Sequence, residues 1–319
     1  MKSLLVTRPL PESVIAALDP GFATDVRPEK IPLTAEAMVD ALTNYDAILP
    51  TLGDPISAMI FKQVSELKTK ILANFGVGYN HIDVAAAAAE GIAVTNTPGA
   101  VTDATADIAM TLILSTCRRT GEGERALRAG DWEGWHPMQF LGMHVSGKTL
   151  GVIGMGRIGK AIAKRAAFGF DMDVVFFNRS KVTDLGVPAR QLPTLGDVCA
   201  GADIIVVALP ATPETHHIIN AEALAAMRSH AVLINIARGD VIDEVALVAA
   251  LQKGAIGGAG LDVYENEPIV PDALKAMENV TLLPHLGTAA LEIRENMGMM
   301  AVENLNAWIS GAPLPNQVS

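Results

Sequence analysis

The sequence predicts an α/β protein built from parallel sheets. Short apolar runs that are typical of buried strands alternate with longer, Ala-rich stretches whose apolar residues recur every three to four positions, as in helices that cover a sheet. This alternation runs through most of the 319 residues, and it is the pattern of parallel strands joined by helical crossovers. With 50% of the residues apolar, the chain can supply the cores of two ordinary domains.

Two series of strands are expected along the chain. The first series has strand-like runs at residues 3–7, 46–50, 70–76 and 91–99. The second starts near Lys148 and predicts six parallel strands in a doubly wound sheet. Residues 102–120 form a long apolar segment without the turn residues that bound short strands. They are expected to form one long buried helix between the two lobes. A closing helix over residues 286–308 is expected to pack on the first lobe.

Composition excludes several classes of function. The net charge of −11 opposes binding to nucleic acid or to an anionic membrane. The apolar runs are far shorter than the roughly 20 residues that cross a bilayer, and the N-terminal residues lack the apolar run of a signal peptide. Cys117 and Cys199 give neither a disulfide framework nor a metal site, and the histidines show no ligand spacing. We expect a metal-free cytoplasmic protein.

A phosphate-binding turn stands at the start of the second series. Residues 151–159 read GVIGMGRIG, which places the pattern GxGxxG between a strand and a helix. Gly154 permits the tight turn, Gly156 lets the backbone approach a pyrophosphate, and Gly159 allows close packing of helix on strand. The helix N-terminus then faces the anion. The motif predicts a Rossmann-like dinucleotide-binding lobe.

The end of the next strand indicates which dinucleotide fits. An acidic residue there would bind the ribose 2′-hydroxyl of NAD and repel the 2′-phosphate of NADP. This chain instead has the uncharged Asn178, followed by Arg179, Ser180 and Lys181. NADP(H) is therefore the favoured cofactor and NAD(H) a possible one, because a single ion contact of about 1.4 kcal/mol changes affinity only about tenfold.

Three residues that follow strands of the second lobe suit the reduction of a 2-oxo acid. That chemistry needs a cation for the carboxylate, a donor to the developing alkoxide and a group that titrates near neutral pH. Arg238, Glu267 and His285 each stand just beyond a strand, at the carboxyl edge where parallel sheets bind ligands. Together they predict a catalytic site.

These motifs, GVIGMGRIG, NIARGDVID, GLDVYENEP and PHLGTA, resemble in order and spacing those of the D-2-hydroxyacid dehydrogenase family. The resemblance covers nearly the whole chain. The chain also contains ILANFGVGYNHIDV and TPGAVTDATAD, and it has Asn178-Arg179-Ser180 in place of the Asp expected for NAD. Within the family it is therefore most similar to the glyoxylate/hydroxypyruvate reductases. It implies NAD(P)H-dependent reduction of small 2-oxo acids such as glyoxylate and hydroxypyruvate to 2-hydroxy acids.

The resemblance also implies roles for matching residues. His285 would be the general acid, Glu267 would hold its ring, and Arg238 would bind the substrate carboxylate. The backbone of Val77 and Gly78 would bind the same carboxylate. Further implied substrate contacts are Leu52 and Trp135, and the implied cofactor contacts are Gly154, Gly156, Arg157, Ile158, Gly159, Asn178, Arg179, Ser180, Leu209, Pro210, Thr215, Ala237, Asp262 and Gly287.

The implied fold has two lobes, Rossmann-like and flavodoxin-like, with the nucleotide lobe inserted into the substrate lobe. Residues 1–99 and 287–319 would bind substrate, and residues 100–286 would bind the dinucleotide. A homodimer is expected, in which Trp135 reaches the partner's substrate pocket. A dinucleotide-sensing, co-repressor-like protein is an alternative, although a sensor would not need the three catalytic candidates Arg238, Glu267 and His285 together. A formate or phosphite dehydrogenase is another, although formate enzymes of this kind pair the histidine with Gln.

Overall fold

The computed structural model describes residues 1–318. The chain divides into two compact units, Met1–Val101 with Ala289–Ser319, and Thr102–Thr288. The second unit is thus one continuous stretch inserted between the two segments of the first. The division expected after residues 99 and 286 lies close to these limits, and the substrate and nucleotide roles assigned to the two units stay predictions.

The first unit contains a parallel sheet of five strands. Its strands are β1 (Lys2–Val6), β2 (Phe22–Val26), β3 (Ala47–Leu49), β4 (Ile71–Ala73) and β5 (Ala93–Thr95), in the order β2-β1-β3-β4-β5. This is the flavodoxin-like order. Its helices are α1 (Glu12–Ala16), α2 (Ala35–Asn44), α3 (Ala58–Phe61), α4 (Val84–Ala89) and α12 (Leu291–Ser310).

The second unit contains a parallel sheet of seven strands. They are β6 (Thr149–Ile153), β7 (Asp173–Phe177), β8 (Ala189–Gln191), β9 (Ile204–Val207), β10 (Val232–Asn235), β11 (Gly258–Leu261) and β12 (Val280–Leu282), in the order β12-β11-β10-β9-β6-β7-β8. Its helices are α5 (Thr102–Cys117), α6 (Thr120–Ala129), α7 (Arg157–Phe170), α8 (Leu195–Gly201), α9 (Ala221–Ala226), α10 (Glu244–Gln252) and α11 (Asp272–Lys275), with a 3-10 turn at Gly239–Val241.

The strand order reverses between β6 and β9. Counted from β6, the sheet has the doubly wound Rossmann order with a seventh strand at one edge. All residues of β9, β10 and β11 are buried, as expected for strands covered by helices on both faces. The predicted fold class is confirmed, and the buried strands give the loops at their carboxyl ends a rigid base.

Two strands were missed by the sequence interpretation. The expectation of six strands in the second unit is wrong, because β8 is a seventh, and β2 adds a fifth strand to the first unit. Both are edge strands, and neither has the buried apolar run that was used to find strands. An edge strand needs little burial when its ladder partner holds it in place.

The long helix was predicted with the wrong end. α5 stops at Cys117, and Arg119 adopts a left-handed conformation with φ of 53° before α6 begins. Both Nε and an Nη of Arg119 donate to the carboxylate of Glu122 at 2.7 Å, which stabilises this break. The closing helix likewise begins at Leu291 rather than at residue 286, because the preceding residues form a turn beside β11.

The two cysteines are free and buried. Burial raises the pKa of Cys117 to about 12 and that of Cys199 to about 11. Within residues 1–318, no helix is both long and apolar enough to cross a membrane. The same residues contain no group of three or more His, Cys, Asp or Glu side chains placed to hold a metal ion.

Candidate active site

A histidine and a glutamate are hydrogen-bonded at the carboxyl edge of the seven-stranded sheet. His285 follows β12, and its Nδ1 lies 2.9 Å from Oε2 of Glu267, which follows β11. Because an ionised carboxylate only accepts hydrogen bonds, Nδ1 carries the proton and donates it. The two side chains are 29% and 32% exposed. The opposite ring nitrogen, Nε2, forms no hydrogen bond to any part of residues 1–318.

The turn that carries His285 is held by Asp262, the first residue after β11. His285 has φ of 55°, which is uncommon for a residue with a side chain. Its N–H donates to the Asp262 carbonyl at 2.9 Å, and the Asp262 carboxylate accepts from the N–H groups of Leu286 at 2.6 Å and Gly287 at 2.8 Å. Burial raises the pKa of Asp262, against the effect of these donors. The histidine is therefore fixed through its backbone.

The loop that carries Glu267 is anchored by two carboxylates. The N–H of Tyr264 donates to Oε1 of Glu267 itself at 3.1 Å, and the N–H of Glu265 donates to Oε1 of Glu244 on α10 at 3.0 Å. A Cβ at Gly239 would lie 1.8 Å from the carbonyl carbon of Tyr264. Only a glycine therefore allows the residue after Arg238 to lie directly against this loop.

The ionised form of Glu267 is favoured by its surroundings. Burial acts to raise its pKa, but the hydrogen bond and charge of His285, the N–H of Tyr264 and the charge of Arg238 outweigh burial, so the pKa lies below its usual range. When ionised, Glu267 can only accept a hydrogen bond from Nδ1 of His285. The pair thus fixes both the orientation and the tautomer of the ring.

Arg238 follows β10 and is half-buried. The side-chain amide of Asn235 donates to the Arg238 carbonyl at 2.8 Å and its oxygen accepts from the N–H of Ala237 at 3.0 Å, which shapes the turn. One Nη of Arg238 donates to the Ala237 carbonyl at 2.7 Å. Burial lowers the pKa of Arg238, and the charges of Glu267 and Asp240 oppose that shift. The guanidinium remains a cation at neutral pH.

The structure brings these residues to one edge of one sheet. β10, β11 and β12 are neighbours, with Asn235 paired to Leu261 and Leu261 paired to Leu282. Arg238, Glu267 and His285 follow these strands in that order. The arrangement offers a fixed cation and an oriented imidazole, which suits general acid–base chemistry on an anionic substrate.

The glycine-rich turn lies where the strand order reverses. Gly154 has φ of 101°, and a Cβ there would lie 2.7 Å from the carbonyl oxygen of Ala208 after β9. A Cβ at Gly159 would lie 2.2 Å from the Gly154 carbonyl oxygen, so α7 packs directly on the turn. A Cβ at Gly156 would meet nothing within 4 Å, which leaves open space before the helix.

The N-terminus of α7 suits an anion. Gly156 is its N-cap, no side chain caps it, and its first turn has no acidic residue. The backbone N–H groups and the helix dipole therefore favour a phosphate there. Arg157 is exposed and Ile158 is half-buried in this first turn. These features fit the pyrophosphate of a dinucleotide.

The loop after β7 is organised by a residue that sequence reasoning missed. Asn178 accepts from the N–H of Met155 at 3.3 Å and donates to the carbonyl and hydroxyl oxygens of Ser180 at 3.1 and 3.2 Å. Gln191, on β8, donates to the carbonyls of Asn178 and Ser180, both at 3.0 Å. Arg179 is exposed within this loop. Because β8 was not predicted, no sequence signal placed Gln191 here.

The segment after β9 folds on itself. Oγ1 of Thr215 donates to the Pro210 carbonyl at 2.8 Å and accepts from the N–H of Thr212 at the same distance. Leu209, like the Thr215 side chain, is half-buried. Since β9 adjoins β6, this segment borders the glycine-rich turn.

The remaining predicted residues lie in other parts of the chain. Leu52, Val77 and Gly78 belong to loops at the carboxyl ends of β3 and β4, in the five-stranded unit. The Leu52 carbonyl accepts from Arg8 at 2.7 Å. Trp135 lies in the irregular segment between α6 and β6 and is 80% exposed. Neither group is part of the seven-stranded sheet edge.

Comparison with known proteins gives consistent results over the whole chain. Residues 110–287 match the family model described as D-isomer specific 2-hydroxyacid dehydrogenase, NAD binding domain. The glyoxylate reductase of Pyrococcus horikoshii is 41% identical over 321 residues, covering 99% of this chain and 95% of the relative. The glycerate dehydrogenase of Hyphomicrobium methylovorum is 34% identical and covers 98% of both chains.

A solved structure agrees with these relatives. The NADPH-dependent glyoxylate/hydroxypyruvate reductase of Sinorhizobium meliloti, in complex with citrate, superimposes with a TM-score of 0.87 at 37% identity, covering 100% of this chain and 98% of that one. The match includes both units and the dinucleotide-binding turn, so the cofactor of the chain is a nicotinamide dinucleotide. The chain belongs to the D-isomer specific 2-hydroxyacid dehydrogenase family.

Proposed function

We propose that this chain reduces small 2-oxo acids, glyoxylate and hydroxypyruvate among them, to 2-hydroxy acids with NAD(P)H. The observation that carries the proposal is the His285–Glu267 hydrogen bond of 2.9 Å at the sheet edge where Arg238 also lies. The names of the relatives, glyoxylate reductase and glycerate dehydrogenase, support the substrate class.

The bound dinucleotide supplies the hydride. The residues that would hold it are those of the glycine-rich turn, the loop after β7, the segment after β9 and the turns after β10, β11 and β12. Each group lies at the carboxyl edge of the seven-stranded sheet, where such sheets bind ligands. They are Gly154, Gly156, Arg157, Ile158, Gly159, Asn178, Arg179, Ser180, Leu209, Pro210, Thr215, Ala237, Asp262 and Gly287.

His285, Glu267 and Arg238 each have a separate role in the proposed reaction. His285 donates a proton from Nε2 to the carbonyl oxygen of the substrate, since Nδ1 is occupied by Glu267. Glu267 stabilises the protonated ring before the transfer. Arg238 binds the carboxylate and, being half-buried, acts in a lower dielectric than a surface arginine would. After the reaction, His285 regains a proton from solvent.

In the five-stranded unit, the loops after β3 and β4 supply further contacts to substrate. The N–H groups of Val77 and Gly78 bind the carboxylate, and Leu52 contributes to the pocket that selects small substrates. These roles follow from the family motif ILANFGVGYNHIDV, which this chain contains.

NADPH is the preferred reductant in this proposal. The residue that follows β7 is the uncharged Asn178 rather than an acidic residue, and Arg179 beside it is exposed. A phosphate and a guanidinium form charge-assisted, bidentate hydrogen bonds. The NADPH-dependent relative from Sinorhizobium meliloti supports this choice.

A cytoplasmic homodimer completes the proposal. The segment between α6 and β6 exposes several large apolar side chains, as a surface covered by a second copy would. Trp135 would extend from it to the partner's substrate. The exposed side chains are Trp132 (50%), Trp135 (80%), Met138 (73%) and Leu141 (56%). Light scattering would give twice the 33.5 kDa chain mass for a dimer.

A steady-state panel tests the proposal. Glyoxylate, hydroxypyruvate and pyruvate are assayed with NADPH and with NADH, and formate and phosphite with the oxidised cofactors. We expect NADPH oxidation with the 2-oxo acids, and a variant Arg238→Ala with a raised KM and a lowered kcat, because that contact serves substrate and transition state. Cofactor binding without turnover would instead indicate a sensor, and oxidation of formate or phosphite would indicate the other enzyme class.

A further inference from the structure

In the loop after β4, the carbonyls of residues 76–78 each accept a hydrogen bond from a side-chain amide. Nδ2 of Asn74 donates to the carbonyl of Gly76 at 3.0 Å and to that of Gly78 at 3.1 Å. Nδ2 of Asn96, which follows β5, donates to the intervening carbonyl of Val77 at 2.9 Å. Two asparagines that follow neighbouring strands thus donate to the carbonyls of three consecutive residues, and the backbone N–H of Thr97 also donates to the Gly76 carbonyl at 3.1 Å.

The orientation of both amides is fixed by this chemistry. A carbonyl oxygen only accepts hydrogen bonds, so each side chain must present its NH2 group to the loop. Asn74 is 1% exposed and Asn96 is 8% exposed. Oδ1 of Asn74 is buried without a partner in the described chain. The two hydrogen bonds that the NH2 group of Asn74 donates explain why the side chain adopts an orientation that leaves its oxygen without a partner.

Fixing the carbonyls also fixes the N–H groups. In a trans peptide the C=O of one residue and the N–H of the next point in opposite directions. Donation to the carbonyls of Gly76 and Val77 therefore turns the N–H groups of Val77 and Gly78 away from the two amides. Within residues 1–318, neither N–H makes a hydrogen bond, and both residues are half-buried. Successive outward N–H groups form a concave site for an anion.

We propose that Asn74 and Asn96 are positioning residues that preorganise the Val77–Gly78 backbone to bind the carboxylate of the 2-oxo acid. The inference rests on the proposed function of the chain. Neither asparagine touches the substrate: each acts through the peptide groups that it orients. Holding the donors in place before binding removes the ordering cost that a flexible loop would pay.

Alanine variants remove the donors without adding charge. In Asn96→Ala and Asn74→Ala we expect the KM for glyoxylate and the Kd for oxamate, an unreactive analogue, to rise about tenfold, equal to about 1.4 kcal/mol. The Kd for NADPH should stay within about twofold of wild type. Asn96→Gln keeps an NH2 group and should recover part of the loss. Binding of oxamate is measured by calorimetry on the NADP-loaded protein.

A matched control lies at the other end of the same strand. Thr69, before β4, is fully buried and donates to the carbonyls of Leu42 at 3.2 Å and Tyr45 at 2.8 Å. Thr69→Val loses these bonds and should lower the melting temperature without changing the KM or the oxamate Kd. If Thr69→Val raised the oxamate Kd as much as the asparagine variants do, the effect would be a general structural one and the inference would be overturned.

The two proposals fail in different ways. A wild-type protein that turns over 2-oxo acids, with asparagine variants of unchanged KM and oxamate Kd, overturns only the positioning role. A wild-type protein with no turnover of any 2-oxo acid overturns the proposed function. In that case, oxamate that binds to the wild type and not to Asn96→Ala still supports the positioning role. If oxamate does not bind to the wild type either, the positioning role is overturned as well.

Discussion

The backbone N–H of His285 donates to the carbonyl oxygen of Asp262 at 2.9 Å, while the Asp262 carboxylate accepts from the next two N–H groups of the chain. The proposed proton donor is therefore held by the residue that follows the neighbouring strand β11, and not only by Glu267. A histidine in the left-handed region needs such support, since that conformation costs on the order of 1–3 kcal/mol.

Asp262→Asn should loosen this turn. An amide can accept from only one of the two N–H groups with its oxygen, and its NH2 group would face the other donor. An unsatisfied buried N–H costs about 1–3 kcal/mol, so we expect kcat/KM for glyoxylate to fall about tenfold to a hundredfold. Steady-state kinetics measure the change. A variant with wild-type kcat/KM would show that the turn needs no carboxylate.

His285→Ala should abolish turnover while the Kd for NADPH changes little. The ring supplies the proton, and its loss leaves the glycine-rich turn intact. His230→Ala is a matched control, because Nε2 of His230 also contacts a carboxylate, Oδ1 of Asp203, at 2.8 Å. His230 lies before β10, at the opposite edge of the sheet, so its variant should keep its activity. Equal activity in both variants would refute the role of His285.

Arg179→Ala should weaken NADPH more than NADH. Only NADPH carries the 2′-phosphate, and a lost charge-assisted contact of about 1.5–3 kcal/mol corresponds to a change of roughly tenfold or more. The two Kd values are measured by fluorescence titration. Lys253→Ala, which removes the same charge from an exposed position after α10, controls for net charge. Equal losses for the two cofactors would leave Arg179 without a role in selection.

Gln191→Glu should weaken NADPH binding, although Gln191 is not itself a proposed cofactor contact. The substitution conserves shape, but it removes the NH2 group that donates to Asn178 and Ser180 and places a negatively charged oxygen against their carbonyls. The loop after β7 then loses its link to β8, and we expect the Kd for NADPH to rise several-fold, at about 1 kcal/mol for the lost bonds. The melting temperature reports any wider damage. An unchanged Kd would show that the loop holds its shape alone.

Asp203 should make the stability of the chain depend on pH. Burial acts to raise its pKa, but hydrogen bonds from His230, the Thr149 N–H and Arg228 hold the pKa at about 2. Because the folded pKa is lowered from 3.8, the stabilisation is full above pH 3.8 and is lost as the pH falls toward 2. It amounts to about 2 kcal/mol.

Urea unfolding of wild type and Asp203→Asn at pH 5 and pH 3 checks this expectation. The wild type should be more stable at pH 5, and the difference between the two proteins should shrink at pH 3. A constant difference would mean that another group accounts for the pH dependence.

The sequence alone predicted the parts of the fold that carry strong local patterns. The central strands are continuous apolar runs, and the glycine spacing of residues 154–159 has a direct steric basis, since a Cβ at Gly154 or Gly159 would overlap backbone atoms. His285, Glu267 and Arg238 could be singled out because each follows such a strand. The family resemblance added the remaining contacts.

The missed features depend on tertiary contacts. β8 is short and polar, so only its pairing with β7 makes it a strand, and Gln191 could not be found without it. The left-handed turn at His285 follows from Asp262, a residue far from it in the sequence. The amides of Asn74 and Asn96 act on carbonyls, whose directions no sequence pattern reports.

The insertion of one unit into the other has a consequence for biosynthesis. Residues 102–288 form the seven-stranded unit without interruption, whereas the five-stranded unit needs α12, from the last part of the chain, to cover its sheet. A ribosome that makes the protein from its N-terminus therefore finishes the seven-stranded unit before it makes α12. The unit whose synthesis begins first is the last to be completed.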